Sequence, residues 1–355
     1  MTVSATPLSA TVRSILDAFD AARRASPRLP AIEIAQRLGI SEGELQAARL
    51  GRDVVTLPLP PAELAGRLHT LGRVKALTRS SAAVLEQSGR YPVAGEASAG
   101  LLLDPGGLDL RLHLQRWHWA CLIQDELPGA DGTPARRHSL QAFDRHGRAL
   151  HKAFSLTPEL PDGWHALAAG ADTRAPCFTG LSPAASRPLP EAPGLAHDWG
   201  RMRDVHQFFT LLRRHGLERH EANALMEGRF THRLPAGMIE EALMRAAERR
   251  LPLMLFVASP GGVQIRSGTL PAPERRGGWL NLFGSDFTLH LKDDAIADAW
   301  VVRKPNRDGG VTSLEAFDAD GELLLQLYAR RREGEPERAD WRCLLEELVG
   351  REVAA

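Results

Sequence analysis

The sequence predicts an α+β fold in which one unit, a large antiparallel β-sheet with flanking helices, occurs twice in tandem. Helical segments are followed by short alternating segments that are typical of strands, and this order begins again after about residue 194. The second half also repeats letters of the first, since SLQAFDRHGRALHKAF at Ser139–Phe154 matches SLEAFDADGELLLQLY at Ser313–Tyr328. A repeat of this length indicates a doubled domain rather than a solenoid.

Three further matches support the duplication. SSAAVLEQSG, which ends at Gly89, resembles SPGGVQIRSG, which ends at Gly268, and LHL at Leu112–Leu114 is matched to Leu289–Leu291. Each half is also expected to close with a helix that carries a tryptophan, Trp164 or Trp341. We therefore predict two repeats, residues 1–185 and residues 186–355.

The shared FD-x-x-G element predicts a hairpin turn in each half. Asp and Gly at the tip of a hairpin favour a turn with positive φ between two alternating strands. Asp144–Gly147 and Asp318–Gly321 are therefore interpreted as structural.

The N-terminal region, residues 9–50, is predicted to be helical. Pro30 precedes a helix, a turn and a second helix, which Ser41 caps with Glu44 three residues later. This pair resembles a helix-turn-helix, but the second helix has few side chains that read bases. An ordinary helical hairpin is the favoured interpretation.

Short strands follow from Val54, and residues 160–170 predict a short helix. Residues 171–194 are rich in Pro, Ala and Ser, which is typical of a linker. Residues 199–250 are predicted to be helical, and further strands lead to a terminal helix around Trp341.

The composition limits the class of function. The 355 residues are 43% hydrophobic and 25% charged, which is ordinary for a globular protein. Lys+Arg and Asp+Glu both number 44, so the basic excess that is typical of nucleic-acid binding is missing. The three cysteines form no CxxC pair, and no apolar run is long enough to span a bilayer. We expect a cytoplasmic protein with no nucleic-acid partner and no membrane insertion.

One helix is predicted over Trp199–Arg213. Apolar residues recur at helical spacing along it, namely Trp199, Met202, Val205, Phe209 and Leu212. His206 lies at the edge of this stripe. On these grounds alone it is either a core histidine bonded to a carbonyl or a ligand that points into an apolar pocket.

Other candidates lie on strands. Arg111 is in the middle of a strand, so it needs a partner, either Asp109 or a ligand anion. Arg303 and Lys304 follow an apolar strand, which suits either carboxylate binding or a solvated strand end. Gln326 and Tyr328 alternate on one side of the last strand. Nucleotide-binding and hydrolase motifs are missing.

Several of these segments carry a family likeness. GLDLRLHLQRWHWA, RDVHQFFTLLRRHG, GWLNLFGSDFTLHL and AWVVRKPNRDGGVTSLEAFDADG resemble the HemS/HmuS/ChuS family of heme-trafficking or hemin-degrading proteins. The likeness extends over nearly the whole chain, to Trp341. It implies two homologous halves with heme b bound in a cleft between them.

The resemblance also implies roles for individual residues. His206 in RDVHQFF would be the axial ligand of the heme iron, and Arg111 in LDLRL would lie on the distal side. The residues implied near the porphyrin and its propionates are Lys304, Arg219, Gln326 and Tyr328. Where the family often has Phe after DLRL, this chain has His113, either a second nitrogen near the iron or a packing residue.

Three functions follow as hypotheses. The first is a carrier that accepts heme from an importer and passes it to a heme oxygenase or a reductase-dependent system. The second is an enzyme that opens the porphyrin. Its electron donor would have to be external, because no flavin or nicotinamide motif is found in the chain. The third and weakest is a DNA-binding regulator that uses the N-terminal helices.

Overall fold

The computed structural model describes residues 10–94, 100–129, 133–157, 159–181, 188–332 and 334–354. The helices in these ranges are α1 Ala10–Ala25, α2 Ala31–Leu38, α3 Glu42–Ala48, α4 Pro61–Arg67, α5 Asp162–Ala169, α6 Leu195–Gly200, α7 Gln207–His215, α8 Arg219–Leu225, α9 Met238–Glu248 and α10 Ala339–Ala354. Short 3-10 helices span Leu68–Leu71, Leu114–Arg116 and Asp293–Ala295. None of the described helices is long and apolar enough to cross a membrane.

Seventeen strands lie in the described ranges. They are β1 Val54–Thr56, β2 Arg73–Arg79, β3 Ala83–Arg90, β4 Leu101–Leu102, β5 Asp109–Leu112, β6 Trp119–Pro128, β7 Pro134–Phe143, β8 Ala149–Ser155, β9 Thr231–Leu234, β10 Pro252–Ser259, β11 Gly262–Thr269, β12 Glu274–Arg276, β13 Trp279–Phe283, β14 Phe287–Leu291, β15 Asp298–Lys304, β16 Val311–Phe317 and β17 Leu323–Ala329.

The strands form two antiparallel sheets that exchange strands between the halves. The first sheet has nine strands in the order β1-β6-β7-β8-β2-β3-β14-β13-β12. The second has eight in the order β4-β5-β11-β10-β17-β16-β15-β9. Strands β12 to β14 of the second half thus extend the first sheet, and β4 and β5 of the first half extend the second sheet. The α+β duplication is confirmed, but each sheet is built from both halves.

The exchange buries apolar strands from both sheets in one core. Leu85 on β3 and Leu289 on β14 are fully buried in the same cluster as Leu255 on β10 and Leu314 on β16. Helices α9 and α10 contribute to this cluster, and Trp341 of α10 donates its Nε1–H to the carbonyl of Thr312 (3.0 Å). Burying side chains of this size stabilises the fold by about 1.5–3 kcal/mol each.

The hairpin prediction is confirmed in both halves. Gly147 and Gly321 have φ of 73° and 77°, a region that glycine adopts without steric cost. The Asp that opens each turn accepts two backbone hydrogen bonds from within it, at 2.8 and 2.9 Å for Asp144 and at 3.1 and 2.9 Å for Asp318.

One detail of the predicted repeat alignment is wrong. Arg111 pairs with Val263 on β11, and His290 pairs with Val84 at the equivalent position of β3. Strand register therefore matches Asp109–Leu112 to residues 288–291. The predicted alignment, which matched Leu112–Leu114 to Leu289–Leu291, is shifted by two residues from this register. The predicted boundary between residues 185 and 186 lies outside the described residues and stays a prediction.

The N-terminal helices form the favoured hairpin. Ser41 caps α3 in a capping box with Glu44, as predicted. Glu42, Gly43, Leu45, Gln46 and Ala48 of α3 are buried. Most of this helix is therefore packed inside the fold, and Glu44 is its exposed residue.

Candidate functional site

Four of the residues predicted for the site lie on one face of the eight-stranded sheet. Paired residues on neighbouring strands point to the same face, so the register identifies its members. From β5 to β15 they are Arg111, Val263, Ile265, Ala258, Phe256, Met254, Tyr328, Gln326, Glu315, Ser313, Lys304, Val302 and Trp300. We call this the ligand face. It joins Arg111 of the first half to Lys304, Gln326 and Tyr328 of the second.

Helices α6 and α7 cover one end of the ligand face. Trp199 of α6 and Phe208 and Leu212 of α7 pack on Trp300 and Val302 of β15. The other end, across β10 and β11, carries apolar side chains that remain half-buried, namely Met254, Phe256, Ala258 and Val263. Phe256 contacts Tyr328 edge to face with ring centroids 5.1 Å apart. An apolar strip therefore lies between Arg111 and Tyr328.

Glu315 organises the polar residues of this face, and the sequence analysis did not identify it. Its fully buried carboxylate accepts hydrogen bonds from Lys304 Nζ (2.6 Å), Arg219 Nη1 (3.0 Å) and Gln326 Nε2 (2.8 Å). Lys304 also donates to the hydroxyl of Tyr328 (3.1 Å). The four residues predicted near the porphyrin thus form one cluster, in which two cations surround one carboxylate.

The electrostatics of this cluster favour the ionised carboxylate. Burial by itself raises the pKa of Glu315, but Lys304 and Arg219 more than offset this effect and hold the pKa at about 2. Lys304 is only 2% exposed, so it is a buried support rather than a cation at the rim. Arg219 is partly exposed and Tyr328 is half-buried, so these two are the members best placed to meet a ligand.

The aromatic residues that follow His206 lock α7 over this cluster. Lys304 Nζ and the Arg219 guanidinium lie 4.9 and 5.0 Å from the ring centroid of Phe208, which also packs edge to face on Trp199. Cations over an aromatic face are stabilised by the quadrupole of the ring. Phe209 is 58% exposed, although the Arg219 guanidinium also lies 5.5 Å from its ring centroid.

The single helix predicted over Trp199–Arg213 is wrong. Helix α6 ends at Gly200 and α7 begins at Gln207, so His206 is the residue before α7 and not part of a continuous helix. The predicted stripe is also wrong at one position, because Phe208 rather than Phe209 is buried. Side chains break the helix, since Gln207 Oε1 accepts the backbone N–H groups of Arg203 (2.7 Å) and Asp204 (3.2 Å).

Asp204 fixes His206 in place. Its Oδ1 accepts the backbone N–H of His206 (2.8 Å) and the Nδ1–H of the same imidazole (2.7 Å). A carboxylate accepts hydrogen bonds only, so this contact assigns a proton to Nδ1, and in the neutral imidazole the lone pair is then on Nε2. The His206 side chain is 87% exposed. It is therefore not a core histidine, and its Nε2 is available to a metal ion.

Arg111 has the internal partner that the sequence suggested. Its Nη1 forms an ion pair with Asp109 on the same strand and face. Burial raises the pKa of Asp109, and Arg111 opposes this effect. About a third of the Arg111 side chain remains exposed. His113 is exposed and follows the end of β5 at Leu112, so the alternation of that strand does not extend to it, and its role stays a prediction.

The first half has a different set of polar residues at the equivalent positions. Strand register matches Glu315 to Gln141, Gln326 to Lys152 and Tyr328 to Phe154. Helices α2 and α7 both end at a glycine with positive φ, Gly39 and Gly216. If these two glycines are aligned, the position equivalent to His206 in the first half is Leu29. In the first half the buried carboxylate is instead Glu42 of α3, which accepts a hydrogen bond from Lys152, so the carboxylate on the strand and the imidazole before the helix are features of the second half.

A large cleft also lies between the halves. Its volume is about 1400 Å³, and both hairpin tips, residues 146–149 and 319–323, line it. Of the seven predicted site residues only Arg219 lines this cleft. The other residues that we can place by register belong to the ligand face.

A known protein family matches both halves of this chain. The family described as "Haemin-degrading HemS.ChuX domain" matches residues 39–170 and 216–348, one segment in each half. The chain belongs to this family.

Full-length relatives agree with this assignment. The hemin transport protein HmuS of Yersinia pestis is 37% identical over 96% of this chain and 99% of the relative, and the hemin transport protein HemS of Yersinia enterocolitica is 36% identical over 97% and 99%. Among solved structures, the holo form of the heme-binding protein PhuS from Pseudomonas aeruginosa has a TM-score of 0.85 at 36% identity. The heme-degrading enzyme ChuS from Escherichia coli O157:H7 has a TM-score of 0.85 at 34% identity. Both structures cover 95% of this chain and 99% of their own.

Proposed function

We propose that this protein binds heme b on the ligand face and carries it between a donor and an acceptor protein. The observation that carries this proposal is the exposed His206, whose Nδ1 is bonded to Asp204, so that the neutral imidazole would offer Nε2 to the iron. Neutral imidazole is a common ligand of heme iron, and a carboxylate on its second nitrogen makes it a stronger donor. The relatives named as hemin transport and heme-binding proteins support the same ligand.

The residues present fit heme as cargo. The half-buried strip that includes Met254 and Phe256 offers apolar surface to the porphyrin. We propose that His206 binds the iron and that Arg111 lies on the opposite side of the ring. Arg219 and Tyr328 would meet the propionates, because both are partly accessible at the edge of the Glu315 cluster.

Lys304 and Gln326 act in this proposal through Glu315. Both donate to its carboxylate and both also donate to the Tyr328 hydroxyl, at 3.1 and 3.2 Å. They would therefore hold Arg219 and Tyr328 in position rather than bind the propionates themselves. This division follows from the burial of Lys304, which keeps its ammonium group away from the surface.

A hemin titration tests this proposal. We expect a saturable Soret band with the wild-type protein, and His206→Ala should weaken binding and change the position of the band. His197→Ala is the matched control, because His197 is an exposed histidine on the neighbouring helix α6. If His206→Ala keeps the affinity and spectrum of the wild-type protein, His206 is not the ligand.

Heme degradation is the second candidate function. It is favoured by the description of the family and by the 34% identity to a heme-degrading enzyme. The hemin-loaded protein should be supplied with a reductase system and catalase, and the products identified. A defined tetrapyrrole product in the presence of catalase would establish an enzyme, and bleaching only by peroxide would support a carrier.

The proposal also includes the surroundings of the protein. A carrier of imported heme would work in the cytoplasm, receive heme from an importer and release it to a heme oxygenase or reductase-dependent acceptor. Stopped-flow transfer of heme from the loaded protein to candidate acceptors tests this route. Rates that rise with acceptor concentration indicate direct transfer, and rates that do not change indicate simple dissociation.

A further inference from the structure

A small hollow with two arginines lies at the end of the eight-stranded sheet, apart from the residues of the ligand face. Its volume is about 350 Å³, and its lining residues are Arg229, Phe230, Arg303, Pro305, Asn306 and Gly309. Pockets that hold small molecules have volumes of about 300–1,000 Å³, so this hollow is at the lower end of that range. It belongs to the second half only.

The first half has an arginine, Arg52, at the position equivalent to Arg229. Arg52 and Arg229 each follow a glycine with positive φ, Gly51 at 78° and Gly228 at 75°. Each of these loops is also closed by the same kind of isolated parallel bridge, between residues 50 and 54 and between residues 227 and 231. The two arginines therefore occupy equivalent positions in the duplicated fold.

The two arginines differ in their partners. Arg52 binds both oxygens of Asp20 (2.9 and 3.0 Å) and contacts Asp53 (3.4 Å). In the second half Phe230 stands at the position of Asp53, and Arg229 lies over its ring at 5.6 Å. Among the described residues no carboxylate oxygen lies within 4.0 Å of the side-chain nitrogens of Arg229 or Arg303. The first half thus supplies a carboxylate partner for Arg52, whereas Arg229 of the second half faces an open hollow.

The surroundings increase the positive charge of this hollow. Arg203 and Arg307 lie beside it, since the backbone N–H of Arg307 donates to the carbonyl of Arg203 (3.2 Å) and that of Arg303 donates to the carbonyl of Phe230 (2.8 Å). Of the acidic residues next to these arginines in the sequence, Asp204 is bonded to His206, and Asp308 lies 3.9 Å from Arg331. Among the described residues, Arg229 and Arg303 are therefore left without a carboxylate partner.

We propose that this hollow binds a small oxyanion, the phosphate or carboxylate group of a small molecule. A guanidinium presents two parallel N–H donors that match the oxygens of such groups. Phe230 and Pro305 form an apolar part of the wall, which would contact an apolar body attached to the anion. The site is independent of the heme proposal, because neither arginine belongs to the ligand face.

Calorimetric titration of the full chain without hemin tests this site. The probes are inorganic phosphate, phenyl phosphate and benzoate at constant ionic strength. We expect saturable binding of at least one probe, and loss of about tenfold or more in affinity with Arg229→Gln and with Arg303→Gln, since a hydrogen bond to a charged group contributes about 1.5–3 kcal/mol. Tighter binding of phenyl phosphate than of phosphate would identify an organic anion, and equal binding would identify the free ion.

Two control variants separate a built site from bulk charge. Arg276→Gln removes an exposed arginine from β12, and Arg52→Gln removes the equivalent arginine of the first half. Both should bind the probes with wild-type affinity. The proposal is overturned if no probe binds or if Arg229→Gln and Arg303→Gln bind the probes with wild-type affinity. It is also overturned if Arg276→Gln and Arg52→Gln lose as much affinity as those two variants.

Discussion

Replacement of Glu315 by Gln is the sharpest test of how the ligand face is held together. The change removes one negative charge at a fully buried site and leaves Lys304 and Arg219 facing each other without a counter-ion. Gln keeps the size of the side chain, so little packing is lost. The effect on stability should therefore report the electrostatics of the cluster.

The magnitude follows from the pKa. Glu315 has a pKa of about 2 in the folded protein against an ordinary value of 4.5. Each pKa unit corresponds to about 1.36 kcal/mol, so the charged carboxylate contributes about 3 kcal/mol to stability at pH 7. This agrees with the cost of about 3–5 kcal/mol for removing one partner of a buried ion pair. At an unfolding entropy of about 2.1 cal/mol/K per residue, it corresponds to a fall of about 4 °C in Tm.

Urea unfolding at several pH values measures this contribution. Because the folded pKa is depressed, the contribution is fully present above pH 4.5 and is lost as the pH falls from 4.5 to about 2. The difference between the wild-type protein and Glu315→Gln should shrink over the same range. Glu322→Gln, an exposed carboxylate at the nearby hairpin, should change stability by less than about 0.5 kcal/mol. A loss at pH 7 no larger than that of Glu322→Gln would refute the reasoning.

Three further predictions concern other parts of the protein. Asp204→Ala should lower hemin affinity by about 10- to 100-fold, as loss of an outer hydrogen bond to a metal ligand does, and Asp204→Asn should lower it less; equal affinity of all three proteins in the Soret titration would contradict the role of Asp204. Arg111→Leu should destabilise the protein by about 1–3 kcal/mol in urea unfolding because it leaves the buried Asp109 unpaired, and addition of Asp109→Asn should restore most of the loss. Burial lowers the pKa of His151 to about 4, so stability should fall by about 1.36 kcal/mol per pH unit between pH 6.5 and 4 as the unfolded chain takes up a proton. His151→Gln should remove this slope, and an unchanged slope would show that another group causes it.

The sequence was sufficient for the duplicated unit, because the evidence for it is local. The FD-x-x-G turns, the capping box at Ser41 and the alternating strands each depend on a few neighbouring residues. The strand exchange depends on pairing between β3 and β14 and between β5 and β11. Such pairings join distant parts of the chain, and no local pattern specifies them.

The candidate site was only partly predicted, because some of its contacts also join distant parts of the chain. Family resemblance pointed to His206 and Arg111, but the apolar periodicity around His206 was read as one helix, although Asp204 and Gln207 cap the backbone there. Glu315 was missed because SLEAFD reads as an ordinary strand, and only the fold brings Lys304, Arg219 and Gln326 to its carboxylate. The sequence does offer one signal for Glu315, because the equivalent position of the first repeat is Gln141.

A crystal structure of the hemin complex tests the central claim most directly. We predict iron bound to Nε2 of His206, the porphyrin lying on the strip that includes Met254 and Phe256, and Arg111 on the far side of the ring. Heme bound elsewhere, for example in the cleft between the halves without contact to His206, would contradict the account.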